Sequence, residues 1–236
     1  MTLALNFPKP FATVDVVIFR IQDGLLKVLL VQRPVAVDEP YPGLWALPGG
    51  FVDTTRDTDL ESSAKRKLHE KTGVEASYLE QLGSWGSATR DPRGWSATHV
   101  YFALISADDV ELRAGGNASD TRWWPIEGHR VKEKLAFDHS DILKAAIGRL
   151  RNKVEYTSLP AFLMPPEFTL TELQAIYEIL LGRSIEKKSF RTRILASDLL
   201  APVNRFKAGA NRPAQLYRIR NPRQPVFFTR ALIAFS

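Results

Sequence analysis

The run from Gly49 to Val74, GGFVDTTRDTDLESSAKRKLHEKTGV, constrains the fold more than any other stretch of the chain. From Leu60 to Thr72 it contains neither Gly nor Pro, and it closes on Gly73, the pattern of a helix with a glycine C-cap. Just upstream, Leu44–Leu47 reads as a short strand leading into Pro48-Gly49-Gly50. Further strands surround this unit. Residues 13–21, TVDVVIFRI, and 26–32, LKVLLVQ, flank the turn signal Gln22-Asp23-Gly24 and predict a hairpin. Residues 99–107, HVYFALISA, predict another strand, and Asp138–Arg151 an amphipathic helix through Ile142, Leu143, Ala146, Ile147 and Leu150. Residues 1–152 therefore form an α/β (α+β) unit.

The chemistry of the helix follows from its spacing. Positions 67, 70 and 71 are related by i+3 and i+4 steps and converge on one face. Three carboxylates there would hold Mg²⁺, a hard cation that takes oxygen ligands, neutralises a pyrophosphate and positions water. The residues present are Lys67, Glu70 and Lys71, a formal charge of +1 where three acids would give −3. Such a face repels Mg²⁺ and attracts a phosphate directly, so ligand binding without turnover is physically coherent.

The segment resembles the Nudix box, whose usual pattern is G-x5-E-x7-R-E-U-x-E-E-x-G-U, with U aliphatic. Aligned from its C-terminal end, Arg66 takes the arginine position, Leu68 the aliphatic one, Glu70 the first of the paired glutamates and Gly73-Val74 the close. Lys67, Lys71 and Thr58 stand where the pattern has glutamates, and seven residues separate Gly50 from Thr58 where the family has five. The resemblance implies a Nudix fold; the departures imply no catalytic residues and no metal site. Candidate ligand-binding residues are Arg33, Trp45, Gly50, Arg66, Lys67, Glu70, Lys71 and Arg90. Arg33, Arg90 and Arg93 could pair with phosphates bidentately, and Trp45 or Phe137 could stack on a base. His99 and His139 lack metal-ligand spacing and read as structural. The chain has no cysteine, which excludes disulfides and thiolate metal sites.

Charge divides the 236 residues unevenly. Residues 1–152 carry 19 Lys and Arg against 20 Asp and Glu, whereas residues 153–236 carry 13 against 6. Beyond Glu186 there are 11 basic residues and one acid, Asp198, the footprint of a polyanion-binding surface. Between the halves, YTSLPAFLMPPEF at 156–168 has three prolines and no clear period, and it reads as part of a linker over 153–168. Thr169-Leu170-Thr171-Glu172 then matches a capping box. Leu173, Ile176, Tyr177, Leu180 and Leu181 recur at helical spacing before Gly182, a second helix covers about Lys187 to Ser197, and QLYRI at 215–219 reads as a strand.

Residues 169–236 resemble the winged helix-turn-helix domain joined to a Nudix domain in the Nudix-related transcriptional regulators of NAD metabolism. Together the two resemblances cover nearly the whole chain. They imply a bacterial, cytoplasmic repressor of NAD biosynthesis or salvage genes. It would be a homodimer that binds double-stranded DNA at a pseudo-palindromic operator and takes ADP-ribose or a related nucleotide as effector, with no cofactor. On the second helix, Phe190 and Ile194, with Leu195 and the stem of Lys187 alongside, are predicted to face the first helix. Lys187, Lys188, Ser189, Arg191, Thr192 and Arg193 are the candidate DNA contacts, and Arg205, Lys207, Asn211 and Arg212, read as a loop, the wing. No apolar stretch has the length of a signal peptide or membrane span, so no membrane partner is expected. The rival reading is an active Nudix ADP-ribose pyrophosphatase whose basic tail binds RNA or docks a partner.

Overall fold

The computed structural model describes residues 9–73, 75–106, 112, 119–208, 213–222 and 224–228. Val74, Ala107, Asn211 and Arg212, named above, lie outside these residues. The first hairpin is formed by β1 (Phe11–Gln22) and β2 (Leu25–Gln32), with Gln22 opposite Leu25 across Asp23-Gly24. Both turn residues have positive φ, the two-residue geometry whose twist matches that of the strands.

Strand β1 organises the sheet. Along one edge it runs parallel to β6 (Ser96–Leu104) from Phe11 to Phe19. Along the other it pairs with β4 (Gly49–Phe51) through residues 13–15 and then with β2 through residues 19–22. Beyond β6 lies β5 (Tyr78–Ser87), while β3 (Trp45–Ala46) and β7 (Asp120–Pro125) both pair with β2. Both faces of β1 are covered, which is why its sequence is a nearly continuous apolar run. Val14, Val16 and Ile18 pack with Ala64 and Leu68 of α1 (Leu60–Thr72). Val17, Phe19 and Ile21 pack with Ile142, Leu143, Ala146, Ile147 and Leu150 of α2 (His139–Val154). Strand alternation puts Asp15 on the α2 side. Helix α1 begins at a capping box between Asp59 and Ser62 and ends at Gly73 in the left-handed conformation expected of it.

The proline-rich segment is not an exposed tether. Leu159–Leu163 form a short 3-10 helix in which every residue is buried. Backbone bonds tie its approach to a later segment, from Ser158 N to Val226 O at 2.9 Å and from Phe228 N to Tyr156 O at 2.8 Å. Proline removes the periodicity by which a buried segment is recognised in sequence, and burial here comes from distant partners. After it, α3 (Leu170–Leu181) and α4 (Lys187–Ala196) lead to a three-stranded sheet in the order β8 (Phe168–Thr169), β10 (Ala214–Ile219), β9 (Leu200–Lys207). The residues of β9, read in sequence as an irregular segment, form an edge strand, where Pro202 is tolerated.

One apolar cluster runs from Phe19 through Phe162 to Leu173, Tyr177, Phe190 and Ile194. The Tyr177 hydroxyl donates to the Thr157 carbonyl at 3.1 Å, and its ring meets Phe190 edge-on at 5.3 Å. Phe190 is fully buried and holds α4 on α3. Truncating it to Ala should therefore cost about 3–5 kcal/mol. Urea denaturation should show that loss as a lower midpoint at an unchanged slope.

Candidate ligand pocket and nucleic-acid interface

The change of partner along β1 opens a cleft. Its walls are Val31 and Gln32 at the end of β2, the following Arg33, Ala46 and Leu47, the Gly49–Phe51 strand, and Lys71, Arg90, Asp91, Arg93, Phe137 and His139, with Thr13 and Asp15 at the floor. Gly49 sits opposite Asp15, and a Cβ there would come within 1.9 Å of Asp15 Oδ1 and 2.7 Å of the Val14 carbonyl. Glycine is thus the one residue that admits the Asp15 carboxylate. Asp15 Oδ2 accepts from Thr98 Oγ1 at 2.7 Å and lies 3.6 Å from His139 Nε2 and 3.9 Å from Arg90 Nη2. His139 Nδ1 accepts the Leu47 N–H at 2.9 Å, so the ring proton sits on Nε2, directed at Asp15. Burial raises the Asp15 pKa, but His139, Thr98 and Arg90 together hold it below the ordinary carboxylate value.

The cleft gathers Arg33, Gly50, Lys71 and Arg90 from the sequence candidates, with Arg93 and Phe137. Lys67 lies at its edge, its Nζ 3.2 Å from where a Cβ on Gly50 would stand. Arg33 donates to the Pro40 carbonyl at 2.6 Å, pairs with Glu39 and stacks 4.9 Å from the centre of the Phe137 ring. Arg93 pairs with Asp91 at 2.8 Å and lies 5.2 Å over the Phe51 ring.

Four expectations need correction. Arg90, read as a free phosphate fork, spends that fork on Asp138, with bonds of 2.9 and 2.8 Å, and turns Nη1 to Ser96. Trp45 is a core residue, edge-on to Trp124 at 5.1 Å, and Phe51 and Phe137 supply the aromatic faces of the cleft instead. Arg66 makes a bidentate pair with Asp57, both bonds 2.7 Å, and faces a separate groove with Lys65, Leu68 and His69. Glu70 is exposed and pairs with Arg66 at 3.0 Å and Arg56 at 3.9 Å. Asp57, one residue before Thr58, was missed because the longer loop shifts it out of the pattern's register. Asp15 and Asp138 were missed because neither carries a local motif.

The α1 face does not fit Mg²⁺. Lys67 and Lys71 are half-buried there, Glu70 is turned into ion pairs, and among the described residues no three His, Asp or Glu side chains converge. Burial lowers both lysine pKa values; Arg66 adds to this at Lys67, while at Lys71 Glu70 opposes it and Lys67 adds to it.

In the C-terminal unit, Thr169 and Glu172 form the capping box of α3. The turn into α4 is pinned by Glu178, which accepts from Ile185 N at 2.8 Å, and by Gln174, which donates to the Ile185 carbonyl at 2.9 Å. Glu186 caps α4 by accepting from the Lys188 and Ser189 amides. The packed face of α4 is Phe190 and Ile194, flanked by half-buried Ser189 and Arg193. Leu195, expected to pack on α3, is half exposed, and Lys187 is exposed. The outward stripe is accordingly Lys188, Arg191, Thr192 and Leu195. Arg205 and Lys207 stand on β9 and not in a loop; they pair with Glu167 and, at 2.6 Å, with Glu172. Among the described residues, no helix is long and apolar enough to cross a membrane.

Residues 9–146 match the NUDIX domain, and residues 160–219 match the NrtR DNA-binding winged helix domain. The ADPR responsive transcriptional repressor NtrR of Acinetobacter baylyi is 49% identical over 213 residues, 90% of this chain and 83% of that protein. The chain belongs to the NrtR family. A crystal structure of Shewanella oneidensis NrtR with a 27mer DNA superposes with a TM-score of 0.83 at 41% identity, over 93% of this chain and 98% of the other. The NUDIX domain of the same NrtR, solved with ADP ribose, covers 61% of this chain and 90% of that domain, with a TM-score of 0.55 and 45% identity.

Two outcomes follow from the charge pairs. The Asp57 carboxyl, held far below its usual range by Arg66, has a folded pKa beneath its unfolded one. Its contribution to stability is full above the unfolded value of about 3.9 and is lost as pH falls below it. Asp57→Asn should lower the melting temperature at pH 7 and flatten its decline between about pH 4 and pH 2. On α4, Thr192→Ala should relax preference at one base pair by about 1–3 kcal/mol, whereas Lys207→Ala should weaken all DNA sequences alike. Competition binding against single-base operator variants separates the two effects.

Proposed function

We propose that the protein is a dimeric transcriptional repressor whose Nudix-fold half senses ADP-ribose or a closely related nucleotide without hydrolysing it. The observation that carries this reading is the α1 face. Lys67 and Lys71 occupy the positions at which metal-holding carboxylates would organise the attacking water, beside a cleft with arginines at its mouth. A diphosphate is met there by cations and by no nucleophile. The same chain carries an exposed basic stripe on α4 and a β9–β10 wing, the parts that enter the major groove and hold phosphates. The target genes are those of NAD biosynthesis or salvage, and the protein acts in the cytoplasm on DNA.

Helix α2 supports coupling between the two halves. Its N-terminal end forms the cleft wall through His139, with Asp138 on Arg90; just past its C-terminal end, Glu155 meets Arg183 at 3.6 Å, and the Thr157 carbonyl accepts from Tyr177 of α3. A ligand that shifts this wall acts on the seat of the winged unit. With one α4 per chain, a two-fold dimer matches a pseudo-palindromic operator.

The test is a titration of operator DNA with and without ADP-ribose. Saturating ADP-ribose should weaken operator binding by about 5–150-fold, and DNA should weaken ADP-ribose by the same factor. Affinity should also fall steeply with salt as phosphate counterions are released. Mg²⁺-dependent release of AMP from ADP-ribose would instead establish the pyrophosphatase reading, and an unchanged operator affinity would remove the effector.

A further inference from the structure

The cleft has two chemically different ends. Its mouth and α1 side present Arg33, Arg93 and Lys71, with Lys67 against Gly50. Its floor presents a carboxylate. Asp15 is 6% exposed, and its two oxygens are used differently. Oδ2 is occupied by Thr98, with His139 and Arg90 close by. Oδ1 lies over Gly49, where a Cβ would collide with it, and accepts no hydrogen bond among the described residues. A carboxylate oxygen that reaches solvent only through the cleft and has no donor from the protein gains most from a ligand that supplies one. A phosphate cannot occupy that place, because it would set anion against anion. A hydroxyl group can, because it brings a donor and no charge.

We propose that Asp15 is a specificity-determining residue of this cleft, which accepts a hydrogen bond through Oδ1 from a sugar hydroxyl of the bound nucleotide. The site then selects a sugar diphosphate, with phosphates toward the arginine and lysine side and a hydroxylated ribose on the floor. This rests on the nucleotide-sensing reading above. Thr98 is a positioning residue: its hydroxyl fixes Oδ2 and so turns Oδ1 toward the ligand. Any ligand lacking the hydroxyl would cover the carboxylate without replacing its water, which is the condition under which a binding site discriminates strongly. An ADP-ribose-like ligand offers two candidate riboses, one on either side of its diphosphate, and the chemistry at Asp15 is the same for both.

Calorimetric titration of the full chain with ADP-ribose, ADP and 2′,3′-dideoxy-ADP distinguishes these sources. The wild type should show a preference of about tenfold or more in one of two comparisons: ADP-ribose over ADP if the terminal ribose reaches Asp15, or ADP over its dideoxy analogue if the adenosine ribose does. Asp15→Asn should reduce that preference to about twofold or less, with the larger loss of affinity falling on the ligand that carries the hydroxyl. Thr98→Val, which keeps the carboxylate, should reduce the same preference in part and serves if Asp15→Asn does not fold. The inference is overturned if both variants leave each preference intact, or if they weaken all three ligands in the same proportion. A wild type that binds neither ADP-ribose nor ADP would instead sink the nucleotide-sensing reading itself.

Discussion

A strand has one hydrogen-bonding neighbour at a time on each edge, and β1 changes neighbours along one of its edges, from β4 at residues 13–15 to β2 at residues 19–22. The gap between those partners is where Leu47 and Pro48 diverge, with the Pro48 carbonyl still held by Val16 N at 2.8 Å. Everything at the cleft follows from that gap. It lets a carboxylate stand inside a sheet, it requires glycine at position 49, and it brings the first residues of α2 against the strand. The other edge of β1, parallel to β6 over nine residues, keeps the strand rigid while this edge is interrupted.

The electrostatics of α1 are arranged in two layers. The inner acid, Asp57, has a side chain that is 1% exposed and is consumed by Arg66, so it fixes the loop to the helix. The outer face then carries two half-buried ammonium groups, Lys67 and Lys71, while the single acid of that face, Glu70, also pairs with Arg66 and Arg56. A hydrolase of this fold would concentrate negative charge there to hold a metal. Here the geometry of the helix is retained and the sign of the charge is reversed, which changes what the face attracts without changing how it packs.

The two halves are joined by buried structure. Val154, the 3-10 helix at Leu159–Leu163 and Tyr177 belong to one apolar cluster that also contains Phe19 and Phe162. Packed interiors transmit displacement because they have little free volume. A chain that must convert occupancy of a cleft into the placement of α4 benefits from such a connection, and an exposed tether would supply none.

Much of this was legible from sequence, and the division has a physical basis. Helical spacing is local, so Leu60–Thr72, the Thr169 capping box and the placing of Lys67 and Lys71 one turn apart could be read from residues a few positions apart. The first hairpin and the two-part organisation were equally local signals. What required the fold were relations between distant residues. Arg90 looks like a free cation until Asp138, 48 residues later, takes its fork. Leu195 looks like a core residue until the packing of Phe190 and Ile194 sets the rotation of α4 and turns it outward. The proline-rich segment looks exposed until its partners cover it, and Asp15 is one acid in an apolar strand until Gly49, Thr98 and His139 close around it. The sequence by itself determined which elements form and what charge each face carries, because both depend on neighbours along the chain. Tertiary structure alone decided which charged groups are spent on one another and which remain for a ligand, because that depends on who meets whom across the fold.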